Sequence, residues 1–291
     1  MSKKVTAIIT THNRINLVGR AIESVLNQTY QNIDCIVVDD ASEISAESVC
    51  KHYPVKYIYI PKEESTGGNH ARNVGVKSTD AEYVAFLDDD DYWLPNKIEK
   101  QVQLIEEKHC ELVYSGAIAE IVSENNIIYG KYKPDFWKQG NMSKKILLEL
   151  CCLNITMLVK RQALQECGYF DENVRYWQEY ELTIRLAQRA PFYFIPEALA
   201  VYRVNSSDSR RLTNNYDNWL KSVKYIYSKY DSSYSKLSIL ERLWVKHTFY
   251  ADAIARARNS GNVFLSMFYR TLLYTFFIPV KLYIRYFKNG Q

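Results

Sequence analysis

Residues 83–91 read Tyr-Val-Ala-Phe-Leu-Asp-Asp-Asp-Asp, an apolar run that leads directly into four aspartates. Such a run is typical of a strand that is buried on both faces of a parallel sheet. Carboxylates crowded at the end of a buried strand are costly unless a cation is present or some of them point to solvent. The segment therefore predicts a central strand of an α/β protein that ends in either a divalent-cation site or a solvated acidic turn.

The sequence upstream of this strand alternates between β-rich runs and segments of helical character. Apolar residues recur at helical spacing from Leu17 to Leu26, and Asn16 can cap this helix. Strands joined by helical crossovers form a right-handed wound sheet whose ligands bind at the carboxyl ends of the strands. We therefore predict an α/β fold with a wound, mostly parallel sheet. Its predicted elements are a strand at 5–11, the helix after Asn16, strands at 33–38 and 55–60, a helix from about 70 to 77, and the strand at 83–87.

Two common phosphate-binding loops are missing from this pattern. The first strand-to-helix turn contains no glycine, whereas a dinucleotide-binding turn needs G-x-G-x-x-G. Gly67-Gly68 leads into Asn-His-Ala-Arg, which is not a P-loop. A diphosphate would then be neutralised by a divalent cation held by carboxylates. Alternate residues of an extended chain face the same way, so Asp88 and Asp90 are predicted to address one ligand while Asp89 turns aside.

Composition and charge narrow the class of protein. The chain has 291 residues with 47% apolar residues, 24 Tyr and 11 Phe, as expected of a globular protein rich in aromatic side chains. From residue 253 to the end there are six Lys or Arg residues and no Asp or Glu, so subtracting six from the net charge of +4 leaves −2 for the rest. This local basic character argues against nucleic-acid binding and for a tail that meets an anionic surface. The six cysteines show no C-x-x-C pair and are predicted to be buried thiols.

Five motifs together carry a family resemblance. They resemble, in order and spacing, the motifs of family 2 glycosyltransferases, with a weaker match that continues to about residue 205. The motifs are Ala-Ile-Ile-Thr-Thr-His-Asn-Arg (7–14), Ala-Ile-Glu-Ser-Val-Leu-Asn-Gln-Thr-Tyr (21–30), Ile-Val-Val-Asp-Asp-Ala-Ser (36–42), Gly-Gly-Asn-His-Ala-Arg-Asn-Val-Gly (67–75) and Glu-Tyr-Val-Ala-Phe-Leu-Asp-Asp-Asp-Asp (82–91).

The resemblance implies an A-type glycosyltransferase fold and a set of donor-binding residues. Asp39 or Asp40 would accept a hydrogen bond from the nucleobase, commonly a uracil imide. Asp90 would be the leading ligand of Mn²⁺ or Mg²⁺, with Asp88 as a second ligand or a partner of the ribose. The other implied donor-binding residues are Thr11, Arg14, Arg72 and Asp89, although Arg14 also fits a surface salt bridge.

The same resemblance implies the catalytic base. Trp177, Gln178 and Glu179 match the family's second acidic motif, where the second residue of an E-D or Q-D pair is the base. Here Glu179 replaces the usual Asp, and a single carboxylate base implies inversion at the anomeric carbon. Tyr202 and Arg203 match the Y-R-x-H strand that leads into a loop over the donor, and Asn205 replaces its His. The stretch 205–215 fits either a lid or a surface loop.

The chain is predicted to have two parts. Residues 1–212 would form the catalytic domain, with the nucleotide-binding half at about 1–110 and the acceptor half at about 111–212. Residues 213–291 would form a helical extension whose amphipathic tail, 263–288, is basic and aromatic. Pro279 interrupts the tail's longest uncharged run, so a membrane-spanning helix is not expected there. The tail would contact a membrane surface, or else an oligomer partner or the core.

These observations predict a metal-dependent, inverting glycosyltransferase. The donor would be a UDP-sugar, and the acceptor a hydroxyl of a glycan or lipid-linked molecule in cell-surface polysaccharide synthesis. The apolar run at 5–9 is too short for a signal peptide, which predicts a cytoplasmic protein on the inner face of the membrane. The alternatives are a non-catalytic protein that binds sugar nucleotides and a sugar-phosphate nucleotidyltransferase, whose Gly-rich loop after the first strand is absent.

Overall fold

The computed structural model describes residues 2–123, 126–205 and 215–289. Its strands are β1 (Val5–Thr11), β2 (Ile33–Asp40), β3 (Lys56–Ile60), β4 (Tyr83–Asp88), β5 (Tyr92–Trp93), β6 (Leu112–Ser123), β7 (Asn126–Tyr132), β8 (Met157–Lys160) and β9 (Phe192–Asn205). Its helices are α1 (Ile15–Leu26), α2 (Glu47–Cys50), α3 (Gly68–Lys77), α4 (Lys97–Lys108), α5 (Lys145–Leu148), α6 (Arg161–Glu166), α7 (Gln178–Leu186), α8 (Tyr216–Lys229), α9 (Asp231–Tyr234), α10 (Ile239–Asn259), α11 (Val263–Phe276) and α12 (Ile278–Asn289), with a 3₁₀ turn at Asn154–Thr156.

The strands form one sheet in the order β3-β2-β1-β4-β8-β6-β9-β5, with β7 paired to β6. The first four strands pair in parallel, as does β6 with β9, and β8 runs antiparallel between β4 and β6. The predicted wound, mostly parallel α/β sheet is therefore confirmed. The carboxyl ends of β1, β2 and β4 lie at one edge, which brings their polar residues together.

Local packing explains how α1 and α3 are fixed on the sheet. Residues Val18, Ala21, Ile22 and Val25 are buried on the inner face of α1. The helix begins at Ile15 with Arg14 at its N-cap, so the expectation that Asn16 caps it was wrong. Where α3 crosses β1, a Cβ on Gly75 would lie 2.5 Å from the Cγ2 of Ile8, so only glycine allows this close approach.

Helices α8 to α12 form the C-terminal part of the described chain. Trp219 and Trp244 are fully buried, and Trp244 contacts Tyr283 and Phe287 of α12 edge to face. One side of the tail is therefore packed on the protein. Lys288 also lies on this side, where its Nζ pairs with Oε2 of Glu149 at 2.9 Å.

The tail is divided into α11 and α12, which are bent by 68° just before Pro279. Proline is tolerated in the first turn of a helix but interrupts a continuous one. None of the individual helices within residues 2–123, 126–205 and 215–289 is long and apolar enough to cross a membrane. The bent pair Val263–Thr275 and Ile278–Lys288 reaches the required length and composition only when both helices are counted together.

Candidate active site

The four aspartates at the end of β4 alternate in exposure. Asp88 and Asp90 are partly exposed, whereas Asp89 and Asp91 are only 3% and 6% exposed. The strand ends at Asp88, and Asp89 and Asp90 lie in a turn that the Asp91 N–H closes by donating to the Asp88 carbonyl at 3.1 Å. The exposure alternates as the sequence pattern predicts, but a turn and not a continuing strand produces the alternation.

Asp89 is held by Thr11, the last residue of β1, and by Arg14, which precedes α1. Its carboxylate accepts hydrogen bonds from the Thr11 hydroxyl at 2.7 Å and from Nη1 of Arg14 at 3.1 Å. The same Nη1 lies 3.0 Å from Oδ2 of Asp90. Burial raises the pKa of Asp89 to about 6, and Arg14 opposes this rise. Thr11 and Arg14, both predicted to bind the nucleotide, thus contact the acidic segment itself.

Asp91, which sequence reasoning did not single out, connects this segment to β9. Its Oδ1 accepts the backbone N–H of Arg203 at 2.8 Å. Burial and then the neighbouring carboxylates of Asp90 and Asp88 raise its pKa well above the ordinary value. The Arg203 guanidinium points to Glu120, with Nε 3.3 Å from Oε1. Asn205 ends β9 opposite Val122, and 206–214 of the predicted lid or surface loop 205–215 lie outside the described residues.

Arg72 of α3 connects the aspartates with the start of α7. Its Nη2 donates to Oδ1 of Asp88 at 2.7 Å, and its Nη1 donates to Oε1 of Gln178 at 2.8 Å. The residue is 6% exposed, and its guanidinium lies over the Phe170 ring at 5.8 Å. One buried side chain therefore fixes the distance between the predicted metal-binding segment and the helix that carries Glu179.

The structure distinguishes between Asp39 and Asp40, the last two residues of β2. Asp39 is fully buried and accepts hydrogen bonds from the amides of Ser42 and Ala46 and from the Tyr57 hydroxyl, at 3.2, 2.8 and 2.8 Å. Asp40 is 7% exposed, and its Oδ1 has no hydrogen-bond partner among the described residues. Because a buried carboxylate oxygen is costly without a donor, Asp40 is the better candidate to receive one from a ligand.

Glu179 lies in the first turn of α7 and lines a cavity of about 380 Å³. Burial raises the pKa of its carboxyl, while Arg72 and Arg256 lower it and Asp88 raises it. A carboxyl with a raised pKa is better suited to accept a proton near neutral pH than an exposed one. Glu181, two residues further on, instead accepts hydrogen bonds from Arg185 at 3.0 and 2.6 Å.

Trp177 precedes α7 in a left-handed conformation, with φ of 57° and ψ of 37°. This conformation costs a bulky residue about 1–3 kcal/mol and persists only where surrounding contacts impose it. Its indole Nε1 donates to Oδ2 of Asp252 on α10 at 3.0 Å, and its ring packs edge to face on Tyr180. A residue of the C-terminal helices therefore holds the turn that presents Glu179.

The acidic segment suits a divalent cation that is shared with a substrate. No group of three or more His, Cys, Asp or Glu side chains within the described ranges could hold a metal alone. Mg²⁺ and similar cations are commonly held by one or two carboxylates together with substrate phosphates. Asp88 and Asp90 offer two partly exposed carboxylates of the kind such a cation takes, and each also accepts a hydrogen bond from an arginine, from Arg72 at 2.7 Å and from Arg14 at 3.0 Å.

A wound sheet with an acidic segment after β4 and a carboxylate at the start of a later helix is the arrangement of an A-type glycosyltransferase. The glycosyl transferase family 2 model matches residues 6–168, and the chain belongs to this family. The predicted family membership and fold are thereby confirmed.

Two curated relatives show the range of the similarity. The chain is 29% identical over 267 residues to an uncharacterized glycosyltransferase of Rickettsia prowazekii (strain Madrid E), covering 90% of this chain and 82% of that protein. It is 28% identical over 220 residues to the minor teichoic acid biosynthesis protein GgaB of Bacillus subtilis (strain 168), covering 72% of this chain but only 24% of GgaB.

Solved structures support the fold. S. aureus TarS 1-349 in complex with UDP-GlcNAc matches with a TM-score of 0.59 and 16% identity over 92% of both chains. The mannosyltransferase PcManGT from Pyrobaculum calidifontis, in complex with GDP-Man and Mn²⁺, matches with a TM-score of 0.58 and 17% identity, covering 97% of this chain and 83% of that one. At these identities the likeness establishes the A-type fold alone.

Proposed function

We propose that the protein transfers a sugar, with inversion, from a UDP-sugar to a hydroxyl of a glycan or lipid-linked acceptor during cell-surface polysaccharide synthesis. The observation that carries the proposal is the contact of Arg72 with both Asp88 and Gln178, which joins the acidic segment to the turn that carries Glu179. The match to a teichoic acid biosynthesis protein supports the acceptor class.

In the proposed reaction, the Glu179 carboxylate takes the proton of the acceptor hydroxyl, and the hydroxyl oxygen attacks the anomeric carbon of the donor sugar. The bond from that carbon to the diphosphate oxygen breaks, and the nucleoside diphosphate leaves. A single base on the face opposite the leaving group produces inversion, which product analysis by NMR would check. A bound Mn²⁺ or Mg²⁺ would stabilise the charge on the leaving diphosphate. Asp88 and Asp90 would hold it.

The donor proposal is supported by Asp40, whose buried Oδ1 suits the imide N–H of uracil. TarS was solved with UDP-GlcNAc and PcManGT with GDP-Man, so the neighbours differ in nucleotide. A calorimetric comparison of several nucleoside diphosphates therefore tests directly which nucleobase the site prefers. Tightest binding of UDP, weakened in Asp40→Ala, is expected.

Removing the proposed metal or its ligand should abolish tight nucleotide binding. In calorimetric titrations, Asp90→Ala and chelation of the metal should each lower the affinity for UDP by about tenfold or more, since one charge-assisted contact contributes about 1.5–3 kcal/mol. The matched control is Asp80→Ala, an aspartate with an 87% exposed side chain that lies before β4 rather than after it. Equal affinity with and without metal would contradict the metal site.

We further propose that α11 and α12 bind the anionic lipid surface at the inner face of the cell membrane. Their outer side exposes Val263, Phe264, Met267, Phe268, Tyr274, Ile278, Leu282 and Tyr286, each more than half exposed. Arg270 and Lys281 lie beside Tyr274, with Lys281 Nζ 4.1 Å from its ring centroid. Aromatic side chains among basic residues are typical of helices that lie in a membrane interface.

The double substitution Phe264→Ser/Phe268→Ser should weaken binding to phosphatidylglycerol vesicles by at least about tenfold, because each aromatic side chain contributes about 1.5–3 kcal/mol when buried. Vesicle sedimentation measures this effect. Ile44→Ser, at a residue 69% exposed in the catalytic part, is the control and should bind as the wild type does. Equal binding to neutral phosphatidylcholine vesicles would contradict the preference for an anionic surface. A concentration-dependent dimer that is lost in the double variant would contradict membrane binding and favour a homo-oligomer.

A further inference from the structure

The cavity that Glu179 lines is built by two parts of the chain. One wall comes from the catalytic part and includes Trp177, Tyr180, Tyr202 and Leu148. The other wall comes from α10, which contributes Val245, Thr248, Asp252 and Arg256. With a volume of about 380 Å³, the cavity falls within the usual range of ligand pockets of roughly 300–1,000 Å³. A molecule bound in this cavity would contact the proposed base and α10 together.

The four residues of α10 form one face of the helix. Their spacing of three and four residues stacks them on one side, with Asp252 and Arg256 one turn apart. Thr248 donates its hydroxyl to the carbonyl of Leu148 at 3.1 Å and can still accept a hydrogen bond. Arg256 Nε lies 3.2 Å from Oδ1 of Asp252, which also holds Trp177. This face therefore carries hydrogen-bonding groups in fixed positions.

The charges at the cavity wall are already compensated, except at the base. Lys138 Nζ donates to Oε1 of Glu149 at 2.6 Å and to the carbonyl of Leu150 at 2.8 Å. Lys288 reaches the other oxygen of Glu149 and also pairs with Asp135 at 3.3 Å. With Arg256 paired to Asp252, Glu179 carries the remaining charge. A negatively charged group in the cavity would meet a net negative wall.

The remaining surface suits a hydroxyl-rich, uncharged molecule. Aromatic rings of Tyr132, Trp177, Tyr180, Tyr202 and Tyr227 line the cavity beside the polar groups of α10. The C–H face of a sugar or polyol packs on such rings, while its hydroxyls exchange hydrogen bonds with carboxylate and guanidinium groups. We propose that the cavity binds the acceptor through an uncharged sugar or polyol unit, and that Asp252 and Arg256 of α10 recognise this unit. The proposal rests on the proposed function of the site.

The test is saturation-transfer NMR with a panel of neutral methyl glycosides and glycerol, each beside its phosphorylated counterpart, in the presence of UDP and Mg²⁺. At least one neutral compound is expected to bind the wild type, with its phosphorylated counterpart about tenfold weaker. Arg256→Gln should weaken binding of the neutral compound by about tenfold. Thr248→Phe, which places a ring in the cavity, should abolish the saturation-transfer signal of that compound. Arg258→Gln, an exposed arginine on the same helix away from the cavity, should have no effect.

Calorimetry with UDP is the parallel measurement, because it separates this proposal from the proposed function and reports folding of each variant. Binding of UDP without binding of any neutral compound would overturn the cavity proposal, as would tighter binding of the phosphorylated compounds. Glycoside binding that is unchanged in both Arg256→Gln and Thr248→Phe would also overturn it. Failure of UDP to bind the wild type, with glycoside binding still lost in Thr248→Phe, would overturn the proposed donor and leave the cavity proposal supported.

Discussion

Replacing Glu179 with glutamine should lower kcat by about 10²- to 10⁴-fold, the usual contribution of a general base. Glutamine has nearly the same shape and keeps the first turn of α7, but it cannot take a proton. UDP affinity should stay within about twofold of the wild type, because the proposed nucleotide contacts lie at the ends of β1, β2 and β4. Coupled detection of released nucleoside diphosphate gives kcat, and calorimetry gives the affinity.

The pH dependence gives an independent measurement of the same residue. Burial raises the pKa of Glu179 above the value of about 4.3 for a free glutamate, against the opposing charges of Arg72 and Arg256. As pH falls through this raised pKa, the base becomes protonated and kcat/KM should fall tenfold per pH unit. The acid limb should therefore begin at a higher pH than for an exposed glutamate. It should disappear in Glu179→Gln.

Glu181→Gln is the matched control for Glu179, two residues away on the same helix. Glu181 is fully buried and pairs with Arg185 and Lys229, at 2.6 and 2.8 Å. Its substitution should lower the free energy of unfolding by about 3–5 kcal/mol, as for other broken buried ion pairs, and leave kcat within a few fold at a temperature where the variant is folded. A Glu179→Gln protein that turns over at the wild-type rate would rule out this residue as the base. A wild type that binds UDP but turns over no donor would favour a non-catalytic binding protein.

The nucleotide-binding half of the fold could be predicted because its signals are local. The strand Val5–Thr11 is rich in β-branched residues and is buried at nearly every position, and α1 shows its buried face at a spacing of 3.6 residues. The position of β8 between β4 and β6 had no such signal, because its antiparallel pairs join Tyr83 to Lys160 across the chain. Pairing at that distance depends on the packing of the whole sheet rather than on any local pattern.

In the candidate site, too, features with a local sequence pattern could be predicted, whereas features that depend on distant contacts could not. The greater exposure of Asp88 and Asp90 than of Asp89 matches the predicted alternation, although a turn rather than an extended strand produces it. The full engagement of Asp39 was not, because the Tyr57 hydroxyl that reaches it comes from β3. Nor was the bond from Trp177 to Asp252, since the two residues are 75 positions apart and Asp252 has the spacing of an ordinary helix-surface residue. Residues that position others through distant contacts leave no motif around themselves.

Replacing Arg72 with glutamine should lower both stability and activity, because it leaves Asp88 and Gln178 without their shared donor. Removing one partner of a buried ion pair costs about 3–5 kcal/mol, and the 37% exposure of the Asp88 side chain places the expected loss near about 3 kcal/mol. Denaturant unfolding measures this loss. At a temperature where the variant is folded, kcat should still be about a hundredfold lower, because small displacements between reacting groups reduce rates steeply.

Arg72→Lys separates the charge from the geometry. Lysine keeps the positive charge but lacks the planar fork whose two nitrogens reach Asp88 and Gln178 at once, so it should restore little of the lost kcat. Arg189→Gln removes an arginine that pairs with Glu111 at 2.9 Å at the surface, and it should cost about 1 kcal/mol or less and spare kcat. If Arg72→Lys recovered the wild-type rate, charge alone would suffice. The connection between Asp88 and the Glu179 turn would then not be what aligns the two halves of the site.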